Sequence, residues 1–559
     1  MRVAAVGVRS VLRRRRVANC LLLTTASLTL LGFLFLTSSR SVDPSPSSSH
    51  QIPIEFAAFL AADTAPVSGD FRGNTTCATV EDMGDVFRQG SPDQQRAAAL
   101  ALRNTIRNHF AINGASRVRR LPPKEFCKHG FVLGKASEAG FGNEMYKILT
   151  GAALSVMLNR SFIIGQTRGR FPFEEFITYS NVAFTLSEIK HLWRQNGCLS
   201  QYGRHLVMRI DDFQKPTRTN VLCSNWRGWK QPIIWLQNTT DAVAAQFFLK
   251  NIHDDTRTAA TDLFGRPEDL HYRPNVFGEL MRILISPSGL VQHAVNSILQ
   301  EGGSDGADPD IALHMRMLTN RSVRAVRAAL ECIRKAVNDL QLITKPRVVI
   351  VSDTPSFVKF IAPYLDEFSE VLHFDYKHFE GNLSQYTGKS ATVSFREKDW
   401  GPAPRWVAFV DFFLASRVKH AVVSGAHRRV GTTYAQLIAA LAAAHHLDDD
   451  SSNGWSFTFL SSFQRNLVSD GLRNQIGWGH VWNRFAGPLS CHGQSNQCAY
   501  TPILPPAWWD GMWQSPLPRD IRRMEAYGIK LSGFGTFDVN QLQTSCNSRK
   551  ESVVSVTLI

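Results

Sequence analysis

The stretch Asp310–Met317 brings a histidine and an arginine to the end of a short apolar segment. Its alternation predicts a buried strand, and because successive side chains on a strand point to opposite faces, His314 and Arg316 share one face. In an α/β sheet the carboxyl ends of the strands border the crevice where ligands bind. A guanidinium there can grip a phosphate at two points, which an ammonium cannot do. An ion pair at a strand end beside a core histidine is an equally good interpretation of this stretch alone.

Strands and helices alternate after that segment. Val323–Leu340 has the periodicity of an amphipathic helix, and Arg347–Val351 is a continuous apolar run of the kind that buried parallel strands show. The elements predicted next are a strand at Val371–Phe374, a helix at Trp406–Ala415, a strand at His420–Ser424 and a helix at Thr432–Ala444. This order predicts a Rossmann-like lobe, with polar residues at the ends of its strands converging on one crevice.

A second unit of strand, glycine turn, helix and strand precedes this lobe. Phe131–Leu133 and Phe162–Ile164 read as strands, Lys135–Asn143 is the glycine-bearing turn, and Met145–Leu158 has helical periodicity. The N-terminus of such a helix offers free N–H groups to an anion. The turn is also compatible with a purely structural role. About 480 residues after residue 74 exceed one hydrophobic core, so two lobes are expected.

The N-terminus has the pattern of a membrane anchor. Arg13–Arg16 precede the nearly uncharged apolar run Val17–Leu36, which is long enough to cross a hydrocarbon core of ~30 Å. The positive flank predicts that residues 1–16 are cytosolic and that the remainder is translocated. A cleavable signal peptide is the alternative, although its apolar region is usually shorter, about 7–15 residues. We expect a tail at 1–16, a signal anchor at 17–37 and a polar stem at 38–74.

Composition is compatible with a secreted or lumenal domain. Seven of the +15 net charges come from arginines in the first 40 residues, and the remaining +8 suits a small anionic ligand without requiring nucleic acid. Among the nine cysteines, Cys491 and Cys498 are close enough in sequence to predict a disulfide. The glycosylation sites that we predict from Asn-x-Ser/Thr sequons are Asn74, Asn238 and Asn382.

Several motifs together resemble the GDP-fucose-dependent fucosyltransferase superfamily, which includes protein O-fucosyltransferases, α1,6 and α1,2 enzymes and plant xyloglucan fucosyltransferases. Gly140–Asn143 followed by Leu154–Ile164 resembles its opening motif. His314–Arg316 resembles its His-x-Arg motif, Val349–Asp353 its second strand, and Asp411–Ser424 its third region. The matching motifs occur in the same order as in the superfamily. The resemblance implies a GT-B-like α/β fold with two Rossmann-like lobes and a metal-independent, inverting transfer of fucose.

The resemblance also implies roles for individual residues. It assigns the donor pyrophosphate to Arg316, the diphosphate or ribose to Asn143 and His314, and the guanosine end to Asp353. The full set of implied donor-binding residues is Gly142, Asn143, His314, Arg316, Ser352, Asp353, Ser424, Thr432 and Thr433. Two features depart from the family pattern. Met317 stands where a second basic residue is common, and Leu318–Asn320 contains no acid.

The acceptor hydroxyl usually requires a general base. Glu138 and Glu144 flank the glycine turn and are the candidates, although solvated surface acids are the simpler interpretation of both. Asp308 and Asp310 superficially match a metal clamp, but they precede their strand and are better explained as a turn cap. The pair Asp211–Asp212 follows an apolar segment and lacks the intervening residue. We therefore expect no metal and no cofactor.

These observations predict a Golgi type II membrane glycosyltransferase that transfers fucose from GDP-fucose to a glycan or glycoprotein acceptor. The expected lobes are an acceptor-side lobe at 75–305 and a nucleotide-sugar lobe at 306–450, followed by a C-terminal extension at 451–559. Two alternatives stay open. One is a catalytically inactive relative that binds glycans or a partner transferase, and the other is a metal-dependent transferase that uses Asp211 and Asp212.

Overall fold

Two six-stranded sheets organise the chain, and the uninterrupted apolar runs of the sequence lie at their centres. Both belong to the compact unit that residues 55–559 form. The computed structural model describes residues 80–85, 91–136, 140–165, 173–216, 220–240, 242–266, 272–301, 306–317, 323–340, 345–376, 379, 406–425, 432–448, 457–463, 482–483, 487–488, 497–504, 522, 525–529, 531–532, 536–549 and 553–559.

The strands of these ranges are numbered in chain order. They are β1 Phe131–Lys135, β2 Ser161–Gly165, β3 Ile177–Tyr179, β4 Phe184–Thr185, β5 Val207–Asp212, β6 Ile233–Gln237, β7 Ile285–Pro287, β8 Ile311–Met315, β9 Arg347–Ser352, β10 Glu370–Leu372, β11 Ala421–Gly425, β12 Thr458–Phe463, β13 Trp482–Asn483, β14 Gly487–Pro488, β15 Gln497–Tyr500, β16 Leu531–Ser532, β17 Thr536–Phe537 and β18 Val554–Thr557.

The α-helices are numbered in the same way. They are α1 Val80–Asp85, α2 Pro92–Asn113, α3 Ala115–Val118, α4 Pro123–Phe126, α5 Phe141–Met157, α6 Leu186–Gln195, α7 Cys198–Tyr202, α8 Ala242–Gln246, α9 Asp254–Phe264, α10 Val276–Leu284, α11 Gly289–Glu301, α12 Val323–Leu340, α13 Pro355–Asp366, α14 Val407–Ala415, α15 Thr433–His445 and α16 Val539–Ser548.

The first sheet has the order β18-β5-β6-β1-β2-β4, and all of its strands run parallel except the edge strand β18. Its strands β1 and β2 are almost entirely buried, as expected where helices cover both faces of a parallel sheet. One face packs against α5, in an apolar core that also includes residues of α14 and α15. The other face has its own core, to which residues of α3, α4 and α6 contribute.

The second sheet has the order β10-β9-β8-β11-β12-β15, in which only β15 is antiparallel to its neighbour. The predicted segments Arg347–Val351 and His420–Ser424 are β9 and β11, and the predicted helix at Thr432–Ala444 is α15. The prediction of an α/β fold with parallel sheets is therefore confirmed. The predicted membrane span at Val17–Leu36 lies outside the described ranges, within which no helix is long and apolar enough to cross a bilayer.

The C-terminal segment after residue 450 contributes to both sheets. Strands β12 and β15 extend the second sheet, and β18 pairs with β5 at the edge of the first sheet. Tyr527 is buried against the first lobe, where Asn220 Nδ2 donates to its carbonyl oxygen over 3.1 Å. The residues predicted to form a C-terminal extension thus add strands to both sheets.

Three disulfides join distant parts of the described chain: Cys127–Cys198, Cys223–Cys546 and Cys332–Cys498. The predicted bond between Cys491 and Cys498 is therefore wrong. Strand β15 pairs with β12 and lies beside α12, so it brings Cys498 to Cys332, which is 166 residues away in sequence. Proximity in sequence was a poor guide because the sheet determines which thiols meet. Cys491 lies outside the described ranges.

Peptide mapping without reduction should recover Cys498 linked to Cys332. Closing a loop of this size stabilises a protein by about 4–5 kcal/mol in the chain-entropy model. The single variant Cys332→Ala should accordingly lower the free energy of unfolding by several kcal/mol. Recovery of a peptide that links Cys498 to Cys491 would instead reinstate the bond predicted from sequence.

Two histidines lie beside the first sheet, His109 buried and His129 half-buried. Burial lowers the pKa of His109 from its ordinary value of 6.5 to about 4. Burial also lowers the pKa of His129 to about 4, and the positive charges of Arg160 and Arg117 add to the effect. His129 Nε2 lies 2.8 Å from the hydroxyl of Ser161 at the start of β2. Both imidazoles are therefore neutral at pH 7.

We expect the protein to lose stability as the pH falls from 6.5 toward 4. Between pH 6.5 and 4 these two histidines bind protons in the unfolded chain but not in the folded protein. Protonation therefore favours the unfolded state, and the free energy of unfolding decreases as the pH falls through this window. Urea denaturation at pH 7 and pH 5 measures the difference, which His129→Gln should reduce. The variant of the exposed His191, His191→Gln, should keep the parent's pH dependence. If the stability of His129→Gln depends on pH as strongly as that of the parent, His129 does not contribute to the loss of stability.

Candidate functional site

Arg316 directly follows β8, at the carboxyl edge of the second sheet, and its side chain is half-exposed. Its Nε lies 3.8 Å from Oδ2 of Asp353, which follows the neighbouring strand β9. The other oxygen of that carboxylate, Oδ1, accepts a 2.7 Å hydrogen bond from the backbone N–H of Met317. Asp353 thus orients the turn after β8 and keeps the guanidinium at the strand end. Much of the guanidinium remains open to a ligand.

His314 lies in β8, two residues before Arg316, and is buried. Its Nδ1 lies 3.3 Å from the hydroxyl of Thr432, and its ring packs against Tyr434 with 5.2 Å between centroids. Burial, together with the charge of Arg316, lowers the pKa of His314 to about 3. The imidazole is therefore neutral, and it cannot serve as a cation for an anionic ligand.

The position of the proton on His314 follows from its neighbour. Thr432 caps α15, because its Oγ1 accepts a hydrogen bond of 3.1 Å from the N–H of Ala435. Its hydroxyl hydrogen is then available for Nδ1 of His314. We assign the imidazole proton to Nε2 on this basis. The ring can therefore donate one hydrogen bond to a ligand.

The first turns of α5 and α15 meet. The hydroxyl of Thr433 donates to Oδ1 of Asn143 over 3.1 Å. A Cβ on Gly142 would lie 2.8 Å from Oγ1 of Thr433 and 3.0 Å from the backbone nitrogen of Tyr434, so only glycine permits this approach. Each helix N-terminus has unpaired N–H groups and a partial positive charge. Their junction is thus suited to an anion.

Two serines lie at the carboxyl ends of β9 and β11, the strands on either side of β8. Ser424 on β11 is opposite His314 in the sheet register, is fully buried, and its hydroxyl has no hydrogen-bond partner among the described residues. Ser352 on β9 is opposite Met315 and accepts from the N–H of Thr354 over 3.2 Å. A Cβ on Gly425 would lie within 2 Å of Sδ of Met315, so any larger residue there would displace this buried side chain.

A solvent-open cleft adjoins the ends of β9 and β10. Its polar lining includes Ser352, Lys359, Asp375 and Asp411, among apolar side chains. Asp411 lies on α14 and is only 8% exposed. Burial raises the pKa of this carboxyl well above its ordinary value, which favours its protonated form. A ligand with N–H donors would favour its ionised form.

The structure therefore brings most of the predicted site residues to one crevice. Those that converge are Gly142, Asn143, His314, Arg316, Ser352, Asp353, Ser424, Thr432 and Thr433. Glu144 does not join them as an open carboxylate, because it is fully buried and forms an ion pair of 2.7 Å with Nζ of Lys147. Glu138 lies outside the described ranges.

The acidic pairs have structural contacts. Asp308 pairs with Arg417, and Oδ2 of Asp310 accepts from the N–H of Arg347 over 2.8 Å. Both lie at the amino end of β8, away from the crevice, as a turn cap does. Asp212 accepts from Asn238, whose glycosylation stays a prediction. Within the part of the chain that the structure describes, no cluster of three or more His, Cys, Asp or Glu could hold a metal ion.

Two residues of the crevice were not selected from the sequence. Asp411 is a lone carboxylate in the otherwise apolar helix Val407–Ala415, and this isolation was the available signal. Tyr434 packs between His314 and the aromatic rings of Phe141 and Phe412. Its hydroxyl donates to the carbonyl oxygen of Ala408 in α14. An aromatic residue at the start of a helix has no comparable signal.

A family model covers most of the chain. The model of a family of unknown function, DUF7810, matches residues 72–558. No curated protein matches the sequence. A mutant of FUT1 from Arabidopsis thaliana in complex with GDP is 10% identical, with a TM-score of 0.40 over 68% of this chain and 86% of that chain. Fucosyltransferase NodZ from Bradyrhizobium is 11% identical, with a TM-score of 0.32 over 60% of this chain and 94% of that one.

Proposed function

This chain belongs to DUF7810, a family of unknown function, and we propose that it is a fucosyltransferase that transfers fucose from GDP-fucose to a glycan or glycoprotein acceptor. The observation that supports this proposal most directly is that the half-exposed guanidinium of Arg316 lies near the N-termini of α5 and α15. His314 connects them, since it lies two residues from Arg316 and contacts Thr432 and Tyr434 at the start of α15. The motifs that resemble the fucosyltransferase superfamily lie at these positions.

The donor diphosphate is expected to bind at this junction. Arg316 and the N–H groups of α5 and α15 supply positive charge to the departing GDP, so the transfer needs no metal. His314 donates from Nε2, and the buried hydroxyl of Ser424 is available for a further hydrogen bond. Asp353 is expected to position Arg316 through the contact at 3.8 Å.

The nucleoside is expected to occupy the cleft beside β9 and β10. Guanine presents adjacent N–H donors, and a buried carboxylate such as that of Asp411 can accept from them. Ser352 and Asp375 line the same cleft. Asp353 was expected at the guanosine end from the family resemblance, and its contacts with Met317 and Arg316 support a positioning role as well.

The mechanism that we propose is inverting and depends chiefly on stabilising the leaving group. Glu144 is committed to Lys147, so it is poorly suited to deprotonate an acceptor hydroxyl. This ion pair, together with Met317 in place of a basic residue, favours the alternative of an inactive relative that binds glycans or a partner transferase. The lumenal orientation, the Golgi membrane location and the signal anchor at 17–37 are further parts of the proposal and rest on the sequence alone.

The test is a transfer assay with the full-length protein in detergent, labelled GDP-fucose and a panel of glycan and peptide acceptors. We expect GDP to bind in calorimetry and label to be transferred in the presence of EDTA. Binding without transfer to any acceptor would favour the inactive relative. Loss of transfer in EDTA would support the metal-dependent alternative with Asp211 and Asp212. Failure to bind GDP would overturn the proposal.

A further inference from the structure

Three adjacent strands of the first sheet end in a row of polar side chains. Asp212 at the end of β5 is paired with Gln237 at the end of β6. The register of β1 with β6 pairs Leu133 with Trp235, and two residues further on it sets Lys135 level with Gln237. Because side chains alternate along a strand, the row shares one face of the sheet. We call Asp212, Gln237 and Lys135 the edge row.

The face behind the edge row is apolar. Ile210 and Trp235 precede Asp212 and Gln237 by two residues and are half-buried against the second core of the first sheet. Nζ of Lys135 lies 5.2 Å from the centroid of the Trp235 ring, which places both side chains on this face. An indole next to hydroxyl-binding side chains is a suitable surface for a sugar ring, because its apolar face packs and its neighbours form hydrogen bonds.

The polar groups of the edge row have unused capacity. Oδ1 of Asp212 accepts from Asn238 Nδ2 over 2.7 Å and from the N–H of Gln214 over 2.9 Å, which fixes the carboxylate and leaves Oδ2 available. The side chains of Gln237 and Lys135 form no hydrogen bond and no ion pair in the described structure. Among the described residues the ammonium of Lys135 faces the Trp235 ring and forms no ion pair with a carboxylate, so an anionic group of a ligand would compensate its charge.

The edge row lies within reach of the donor crevice. Lys135 is five residues before Gly140, so the chain limits their separation to roughly 18 Å at 3.3–3.6 Å per residue. Gly140 is the N-cap of α5, whose first turn contacts Thr433 of α15. An oligosaccharide bound along the edge of the first sheet could therefore present a hydroxyl at the junction of the two helices.

On the premise of the transfer reaction proposed above, we propose that the edge row is an acceptor subsite and that the acceptor is a glycan bearing a carboxylate. Lys135 pairs with this carboxylate, Asp212 and Gln237 bind ring hydroxyls, and Trp235 packs against a sugar face. A neutral glycan would leave the ammonium of Lys135 without a partner. The subsite thus predicts discrimination by charge, separately from the binding of the donor.

Calorimetry on the full-length protein, produced without N-glycans, tests the proposal; their absence matters because Asn238, a predicted glycosylation site, donates to Asp212 through Nδ2. The probes are galacturonate and glucuronate oligosaccharides and their carboxyl-reduced counterparts. At least one acidic probe should bind the parent about tenfold or more tightly than its reduced counterpart. Lys135→Gln should abolish this preference and Lys135→Arg should retain it. GDP affinity should be unchanged in both variants.

Lys190→Gln is the matched control, since Lys190 is a half-buried lysine on α6 of the same lobe, and it should bind as the parent does. Equal binding of acidic and reduced probes, an undiminished preference in Lys135→Gln, or binding of none of the acidic probes would overturn the acidic-acceptor proposal. If the parent binds acidic probes but not GDP, the edge row stands as a glycan site and the transfer reaction fails. If the parent binds GDP but no acidic probe, the proposed donor site stands and the edge row is not an acidic-glycan subsite.

Discussion

Arg316→Lys should lose GDP binding almost as completely as Arg316→Ala, and transfer should fall by about 10²–10³. The substitution retains the charge at the end of β8, but an ammonium cannot make the planar two-point contact with a phosphate. The half-exposed guanidinium has its Nε toward Asp353, so its outer N–H groups remain for the ligand. Calorimetry with GDP measures binding, and labelled GDP-fucose measures transfer.

Arg417→Lys is the matched control for this result. Arg417 is also partly exposed and paired with an aspartate, Asp308, but at the amino end of β8. It should keep the GDP affinity of the parent. Circular dichroism on Arg316→Lys establishes that the protein is folded. If that folded variant binds GDP as tightly as the parent does, Arg316 serves only as an ion-pair partner and the proposed donor site loses its central residue.

Arg103→Met should lower the free energy of unfolding by about 3–5 kcal/mol, because it leaves a buried carboxylate with half of its partners. Arg103 and Glu279 are 1% and 2% exposed and join α2 to α10 with a distance of 2.8 Å. The same guanidinium donates to the carbonyl of Ala444 in α15. The Arg103 side chain therefore joins α2 to both α10 and α15. Urea denaturation followed by tryptophan fluorescence provides the measurement.

The control for this second result is Arg107→Met, at an exposed position of the same helix, with an expected change within about 0.5 kcal/mol. Replacing both partners, Arg103→Met with Glu279→Met, should restore much of the loss, since no charge is then left buried and unpaired. A change below about 1 kcal/mol in Arg103→Met alone would show that the pair contributes little.

The sequence predicted the parts of the crevice that depend on local patterns. Strands β8, β9 and β11 appear as apolar runs, and their ends place His314, Asp353 and Ser424 at one edge because parallel strands share a direction. The neutral state of His314 was not predictable, since it depends on burial beneath α15 and on the hydroxyl of Thr432. Such contacts depend on how the two sheets pack.

Long-range partners were the principal failure. Cys498 was assigned to its neighbour in sequence, whereas the antiparallel pairing of β15 delivers it to Cys332 on α12. Glu144 was a candidate base from its position beside the glycine turn, and its burial against Lys147 became visible only with α5 in place. A polar residue in a sequence has no signature of the partner that a folded chain will give it.

The pairing of β18 with β5 and the bond Cys223–Cys546 have a consequence for biosynthesis. Cys223 and Cys546 are 323 residues apart in the sequence. Strand β18 likewise lies far along the chain from its partner β5. At roughly 5–20 residues per second, a ribosome needs tens of seconds to make the intervening chain. During that time the outer edge of β5 has open backbone N–H and C=O groups, and Cys223 has no native partner. We therefore expect the nascent protein to need protection of this strand edge and of the Cys223 thiol until Cys546 and β18 have been made.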